Sequence, residues 1–97
     1  MPISSRAVGS GAAGVTSVAS ATTNTNLLQS NVGRLGFAVF NESTAILYLK
    51  CAANASVSSY TVQIAPSGYY ECPFNYNGQV DGLWASANGF ARITEFA

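Results

Sequence analysis

The chain has 97 residues, four basic and four acidic side chains, a net charge of zero and no histidine. Charged residues make up 8% of it, against about 25% in an average soluble domain, so we expect other protein to cover much of its surface. Its four cations form no basic stripe, which excludes nucleic acid as a partner, and no apolar run approaches the ~18 residues of a membrane span. A small secreted domain kept soluble by hydroxyls and amides is the alternative interpretation.

Residues 1–33 are predicted to form an extended N-terminal arm. All eleven aromatic residues follow Arg34, whereas Ser, Thr, Val and Gly dominate the segment before it, and its glycines oppose a helix. Such a segment cannot offset the entropy cost of ordering by packing on itself. We expect it to add main-chain hydrogen bonds to the sheet edges of a partner, through the contact residues Arg6, Val8, Val15, Val18, Leu27 and Leu28. The start of the sequence lacks the pattern of a secretory signal, so we expect a soluble chain that is not exported by a signal of its own.

Residues 34–97 are predicted to form the body, and short strands of alternating polarity begin at once. The runs "RLGFAVF" and "AILYLKC" flank the turn cluster "NEST" at 41–44 and predict a β-hairpin. The third run, "YTVQI", ends at the Pro-Gly turn "APSG", and the fourth, "YYECPF", is stopped by Pro73.

Two further runs complete the body. "QVDGLWA" and "GFARITEF" are separated by "SANG", whose Asn88-Gly89 pair is a strong hairpin signal. The resulting series of short strands contains no helix of useful length. We therefore predict an all-β fold: a small antiparallel β-sandwich or jelly-roll-like barrel.

The sequence predicts no catalytic, metal or cofactor site. Histidine, the commonest general base and metal ligand, is missing, and Glu71 and Asp81 have no spacing that forces them together as acid and base. Cys51 and Cys72 are too few for a zinc site without histidine. A disulfide would contribute on the order of 3 kcal/mol, but two buried free thiols are favoured in a reducing cytosol. We expect a protein that is not an enzyme.

Aromatic side chains concentrate between residues 69 and 84, beside amides and a carboxylate. They fit a protein interface or a platform that stacks on sugars, and the remaining alternative is that they fill the core. A protein interface is favoured, with the candidate contact residues Tyr69, Phe74, Tyr76 and Trp84.

From Arg34 onward, the order of features resembles small virion proteins of tailed bacteriophages, in particular capsid decoration or cement proteins. Besides Arg34, the residues that carry the resemblance are Asn41-Glu42-Ser43, Leu47, Leu49, Tyr60, Pro66-Ser67-Gly68, Tyr70-Glu71, Pro73, Gly78, Val80, Trp84, Ala91, Ile93 and Glu95.

The resemblance implies a small, β-rich structural protein that is synthesised in the cytoplasm of a bacterial host and lies on the outer capsid surface of the virion. Its expected partners are the major capsid protein and further copies of itself, as a dimer or trimer. Its expected role is to stabilise the capsid lattice by binding alone. The alternative is a tail or fibre module that binds host glycans.

Overall fold

The computed structural model describes residues 13–97, and these form two four-stranded antiparallel sheets packed face to face. The described residues contain no helix. The prediction of a small all-β sandwich is therefore confirmed. In chain order the strands are β1 (Ala13–Ala19), β2 (Thr25–Leu28), β3 (Gly36–Glu42), β4 (Leu47–Lys50), β5 (Val62–Ile64), β6 (Tyr69–Glu71), β7 (Val80–Trp84) and β8 (Phe90–Phe96).

The strand order is that of a long hairpin rolled up on itself. One sheet, called sheet A, has the order β1-β8-β3-β6, and the other, sheet B, has the order β2-β7-β4-β5. Strand β1 thus pairs with β8, β2 with β7, β3 with β6, and β4 with β5. This nested pairing is the connectivity of a jelly roll.

Alternation along each strand places the core between the two sheets. In β3, Phe37 and Val39 are fully buried, while Phe40 and Glu42 are exposed on the opposite side. Successive side chains of a strand point to opposite faces, so one face of each sheet must be apolar. The buried apolar cluster comprises Leu27, Leu28, Phe37, Val39, Ala45, Leu47, Leu49, Ile64, Cys72, Val80, Trp84, Ala91 and Ile93.

The described part of the predicted arm forms an edge strand of each sheet. Strand β1 pairs with β8 over seven residues, and β2 pairs with β7. Leu27 and Leu28 are buried in the core, so they are not available to a partner, and their assignment as contact residues is corrected. This segment forms strands because of tertiary contacts. Strands β7 and β8, which are distant in sequence, supply the ladder partners and the apolar surface that the segment lacks by itself. Residues 1–12 lie outside the described residues.

Both predicted hairpins are wrong, because each of the two turns carries the chain from one sheet to the other. Strands β3 and β4 belong to different sheets, and so do β7 and β8. Gly89 precedes β8 with a φ of +80°, and this left-handed conformation redirects the chain without closing a two-stranded ribbon. The same turn residues occur in hairpins and in crossings between sheets, so the sequence pattern alone does not distinguish a hairpin from a crossing.

Buried polar groups tie the two sheets together. The Asn41 amide of β3 donates to the carbonyl oxygens of Ala45 and Ile64 at 2.8 and 2.9 Å, and its Oδ1 accepts the Trp84 indole N–H at 3.1 Å. At one end of the core, Arg34 pairs with Glu95 of sheet A at 2.8 Å. Its Nη1 also donates to the carbonyl oxygens of Tyr76 and Gly78, which precede β7 of sheet B, at 3.1 and 2.8 Å. These bonds satisfy groups that would be costly to bury unpaired.

Candidate protein interface

The side of sheet A that faces away from the core is the candidate interface, and we call it the outer face. Its positions alternate with the buried residues Val39, Ala91 and Ile93, and the strand register aligns them in rows across four strands. The side chains of the outer face are Ala13, Val15, Ser17, Ala19, Phe90, Arg92, Thr94, Phe96, Ala38, Phe40, Glu42, Tyr69 and Glu71.

Large apolar side chains dominate the outer face. Val15 is 66% exposed, Tyr69 is 64% exposed and Phe40 is 36% exposed. Phe90 and Phe96 are half-buried beside them. An exposed apolar face that spans a whole sheet is characteristic of a surface that another protein covers.

Arg92 lies at the centre of the outer face and links three strands. Its Nε donates to Glu42 Oε1 at 2.7 Å, and its Nη1 donates to Ser17 Oγ at 2.8 Å. The guanidinium carbon stands 4.5 Å from the centroid of the Phe90 ring, a cation–π contact. The hydrogen bond that Arg92 donates to Glu42 raises the pKa of Arg92. The carboxylate of Glu42 offsets the charge of Arg92, so this pair adds little net charge to the outer face.

Glu71 is the remaining charged group of the outer face. It stands in the same row as Ala38, which is buried although it points outward. None of the ion pairs within residues 13–97 involves Glu71. The outer face thus offers an apolar surface with one unneutralised carboxylate, which suits a partner surface with a Lys or Arg among apolar side chains.

Strand β1 forms an open edge of sheet A. In the continuous β1–β8 register, the Ser20 N–H donates to the Gly89 carbonyl at 3.0 Å. Hydrogen-bonded pairs alternate along an antiparallel ladder. The backbone groups of Gly14, Thr16 and Val18 therefore point to β8, whereas those of Val15 and Ser17 point away from the sheet.

A cluster of amides surrounds Asp81, a fully buried carboxylate in sheet B. Its oxygens accept hydrogen bonds from Asn24 Nδ2 at 2.9 Å, Asn26 Nδ2 at 3.1 Å, Gln79 Nε2 at 2.8 Å and the Asn54 N–H at 3.0 Å. Burial by itself would raise the pKa of Asp81, but these bonds outweigh it and lower the pKa. With its lone pairs occupied by N–H donors, Asp81 is a structural anchor.

The two thiols lie close together across the sheets. Cys51 directly follows β4 of sheet B, and Cys72 directly follows β6 of sheet A; both are free. Burial raises the pKa of the Cys51 thiol, and the neighbouring Cys72 raises it further. Burial likewise raises the pKa of Tyr70 to about 12. Cys51 and Tyr70 therefore stay protonated at neutral pH.

Residues 13–97 enclose no pocket, and no three His, Cys, Asp or Glu side chains among them are placed to hold a metal ion. The same part of the chain has no helix long and apolar enough to cross a membrane. The geometry of the described residues therefore draws attention to surfaces and not to an enclosed site.

The predicted contact residues divide into exposed and buried ones. Val15 and Tyr69 lie on the outer face, and Phe74 is exposed in the loop after β6. Trp84 is 1% exposed, so its assignment as a contact residue is corrected: its ring fills the core and its indole N–H is bonded to Asn41.

Two further predicted contact residues are half-buried against the core. These are Val18 and Tyr76, and the Tyr76 hydroxyl donates to the Gln79 carbonyl at 2.7 Å. Arg6 and Val8 lie outside the described residues.

Sequence reasoning missed the aromatic half of the outer face. Phe90 and Phe96 alternate with Ala91 and Ile93 in "GFARITEF", so both faces of that strand are apolar. Counting the apolar residues on both faces of that strand would have found this surface. Arg92 gave no such signal, because its partners Ser17 and Glu42 are far from it in sequence.

No protein-family model, no curated protein and no solved structure matches this chain.

Proposed function

We propose that this chain is a structural protein of a tailed-phage virion, a cement protein that binds the major capsid protein lattice through the outer face of sheet A. The observation that carries the proposal is the outer face itself, four strands wide, rich in exposed aromatic and aliphatic side chains and nearly free of uncompensated charge. Binding to a protein surface would remove this apolar area from water, at roughly 25 cal/mol per Å². The role needs no chemistry beyond binding.

The step from a protein-binding module to a virion protein rests on the resemblance of residues 34–97 to decoration proteins. The jelly-roll order is compatible with it, since viral capsid domains use this architecture, but lectin domains use it too. The fold alone therefore does not discriminate between capsid binding and glycan binding, and the choice between them depends on the residues of the site.

The alternative, a tail or fibre module that binds glycans, has less support. It relied on Trp84 and Tyr76 as a stacking platform, and the indole ring of Trp84 is buried between the sheets. The Tyr76 hydroxyl is engaged by Gln79. A sugar would need rings that it can reach beside groups that orient its hydroxyls. The outer face, as the described residues form it, has no amide side chain, and one of its two carboxylates, Glu42, is already paired with Arg92.

The proposal is tested on capsids purified from the virus that encodes this chain, after deletion of its reading frame. We expect the full-length purified protein to rebind and Tyr69→Lys to bind at least about thirtyfold more weakly, because a buried cation would replace an aromatic contact. Binding is measured by co-sedimentation with the capsids.

Val57→Lys is the matched control. Val57 is 61% exposed, close to the 64% of Tyr69, but it lies in the loop between β4 and β5, away from the outer face. Its occupancy on capsids should equal that of the unmodified protein. If Tyr69→Lys also binds normally, the outer face is not the docking surface, and if the unmodified protein does not bind, the cement role is refuted.

A further inference from the structure

The edges of the two sheets differ in how well they are protected against pairing with another chain. Strand β2 changes register between Asn26 and Leu28, and β5 and β6 have three residues each. Bulges, short strands and nearby charges or prolines are the usual devices that prevent edge-to-edge pairing. Strand β1 has none of them: its seven residues "AGVTSVA" lack charge and proline, and their register with β8 is unbroken.

The side chains of β1 are exposed, and the backbone groups on its outer edge are unpaired within the described part of the chain. Six of its seven residues are exposed, including Thr16 on the side that faces sheet B. The β1 edge, meaning the outward-pointing N–H and C=O groups of Ala13, Val15, Ser17 and Ala19, meets no ladder partner among residues 13–97. An open edge of this length is a template for one more antiparallel strand.

We propose that the strand that fills this position is β1 of a second copy of the same chain. Antiparallel pairing about a two-fold axis at Thr16 places Val15 opposite Ser17 of the partner subunit, and Ala13 opposite Ala19 of the partner subunit. All four residues with outward-pointing backbone groups then form hydrogen-bonded pairs, and each pair exchanges two bonds. The edge is therefore complementary to itself in one register.

The side chains permit this pairing. No charge lies on β1, so the two-fold axis brings no like charges together. The two Thr16 residues would face each other as a non-hydrogen-bonded pair, where threonine hydroxyls can bond across strands. The small side chains of Ala13 and Ala19 let two sheets approach at their rims without a clash.

The dimer would contain one continuous eight-stranded sheet. Its axis is perpendicular to that sheet, so the two outer faces lie on the same side and form a single surface. Linked sites bind an extended partner surface more tightly than either does alone. Pairing of one strand buries less than the ~1,200 Å² of a standard interface, so we expect a dissociation constant of about 10–100 µM for the dimer in isolation. This inference does not depend on the proposed function, because it concerns the free protein.

Disulfide trapping tests the register. Thr16→Cys in the full-length chain should form covalent dimers under mild oxidation, since the two-fold axis places its two thiols opposite each other. Val15→Cys and Ser17→Cys are controls on the same strand: each would face the other position in the partner subunit, so it should cross-link at least about tenfold more slowly. The unmodified protein, oxidised in the same way, shows how much cross-linking comes from Cys51 and Cys72.

Proline substitution tests the edge itself. The Val15 N–H points away from β8, so Val15→Pro removes an edge donor and keeps the β1–β8 bonds. At a protein concentration of about 300 µM, which lies above the expected dissociation constant, the unmodified protein should be largely dimeric. We expect Val15→Pro to sediment as a monomer at this concentration, whereas Val15→Ala should dimerise like the unmodified protein.

Either of two results would overturn the inference. One is a monomeric unmodified protein at that concentration, which would mean that something else covers the edge. The other is equal cross-linking of the three cysteine variants, which would mean random collision. Loss of capsid binding with an intact dimer would refute the proposed function and leave this inference standing.

Discussion

Asp81 shows at the scale of one residue how a jelly roll can bury a charge without a counter-ion. Its carboxylate is fully buried, and four N–H donors from three separate segments of the chain converge on it. Charge-assisted bonds of this kind are about twice as strong as neutral ones. The cluster therefore fastens the start of β2 and the loop after β4 to the centre of sheet B.

We expect Asp81→Asn to lower the free energy of unfolding by about 1–3 kcal/mol. The new amide would present N–H groups to side chains that are themselves donors, so at least one buried donor loses its acceptor. Urea unfolding measures the change. Glu71→Gln, on the exposed outer face, is the control and should differ by no more than about 0.5 kcal/mol; equal effects of the two substitutions would contradict the role of the amide cluster.

The same residue makes stability depend on pH. The pKa of Asp81 in the folded protein lies below the ordinary value of 3.8, so on acidification the unfolded chain takes up the proton first. The stabilisation is present above pH 3.8 and is lost as the pH falls through the folded-state pKa. Unfolding curves from pH 7 to pH 2 should show a smaller acid-induced loss for Asp81→Asn, and parallel losses would argue that other carboxylates dominate.

At the scale of elements, the connection from β7 to β8 decides how the sheets are joined. Gly89 holds a φ of +80°, and a Cβ atom added there would overlap the Glu42 carbonyl oxygen and lie 2.9 Å from Ser43 Cα. This turn packs against the turn after β3. The two crossings between the sheets thus support each other at one end of the sandwich.

Gly89→Ala should destabilise the protein by about 1–3 kcal/mol through backbone strain alone, and the overlap with Glu42 adds to that cost. Thermal unfolding followed by circular dichroism checks this. Gly14→Ala is a suitable control, because a Cβ atom there has nothing within 4 Å. A melting temperature for Gly89→Ala as high as that of Gly14→Ala would show that the turn can relax into another conformation.

Alternation predicted the strands β3 to β8 but not the way they are connected. Phe37 and Val39 repeat at a period of two, and that signal is local. The partner of Ala13 is Phe96, and nothing near Ala13 in sequence reveals it. Strands β1 and β2 therefore resembled a free arm, although the roll is incomplete without them. Val15 was predicted as a contact residue because its segment resembled a free arm. Arg92 was not predicted, because its partners Ser17 and Glu42 are distant from it in sequence.

At the scale of the whole molecule, the two cysteines are neighbours that belong to different sheets. Cys51 follows a strand of sheet B, Cys72 follows a strand of sheet A, and the two are near enough for Cys72 to raise the pKa of Cys51. They remain free thiols, which agrees with the interpretation favoured from the sequence. A bond between them would fasten the two layers covalently.

With oxidised glutathione as the oxidant, we expect an intramolecular disulfide. The two cysteines lose two electrons and two protons, and glutathione disulfide takes them up as it is reduced to two glutathione thiols. The mass should fall by about 2 Da as two hydrogens are lost, and stability should rise by about 3 kcal/mol as the unfolded chain is constrained.

Intact-mass analysis and urea unfolding measure both effects, and Cys51→Ser should show neither. Oxidised protein that is less stable than reduced protein would show that the bridge strains the packing of the sheets.

The nested strand order also governs how the protein emerges from a ribosome. When synthesis has reached residue 79, the ladders β3–β6 and β4–β5 can form, but β1 and β2 still lack their neighbours, because β7 and β8 occupy the middle of the two sheets. Contacts between such distant segments form slowly. The nascent polypeptide therefore leaves "AGVTSVA" unpaired until β8 is translated, and a chaperone that binds uncharged extended segments would find its target there during that interval.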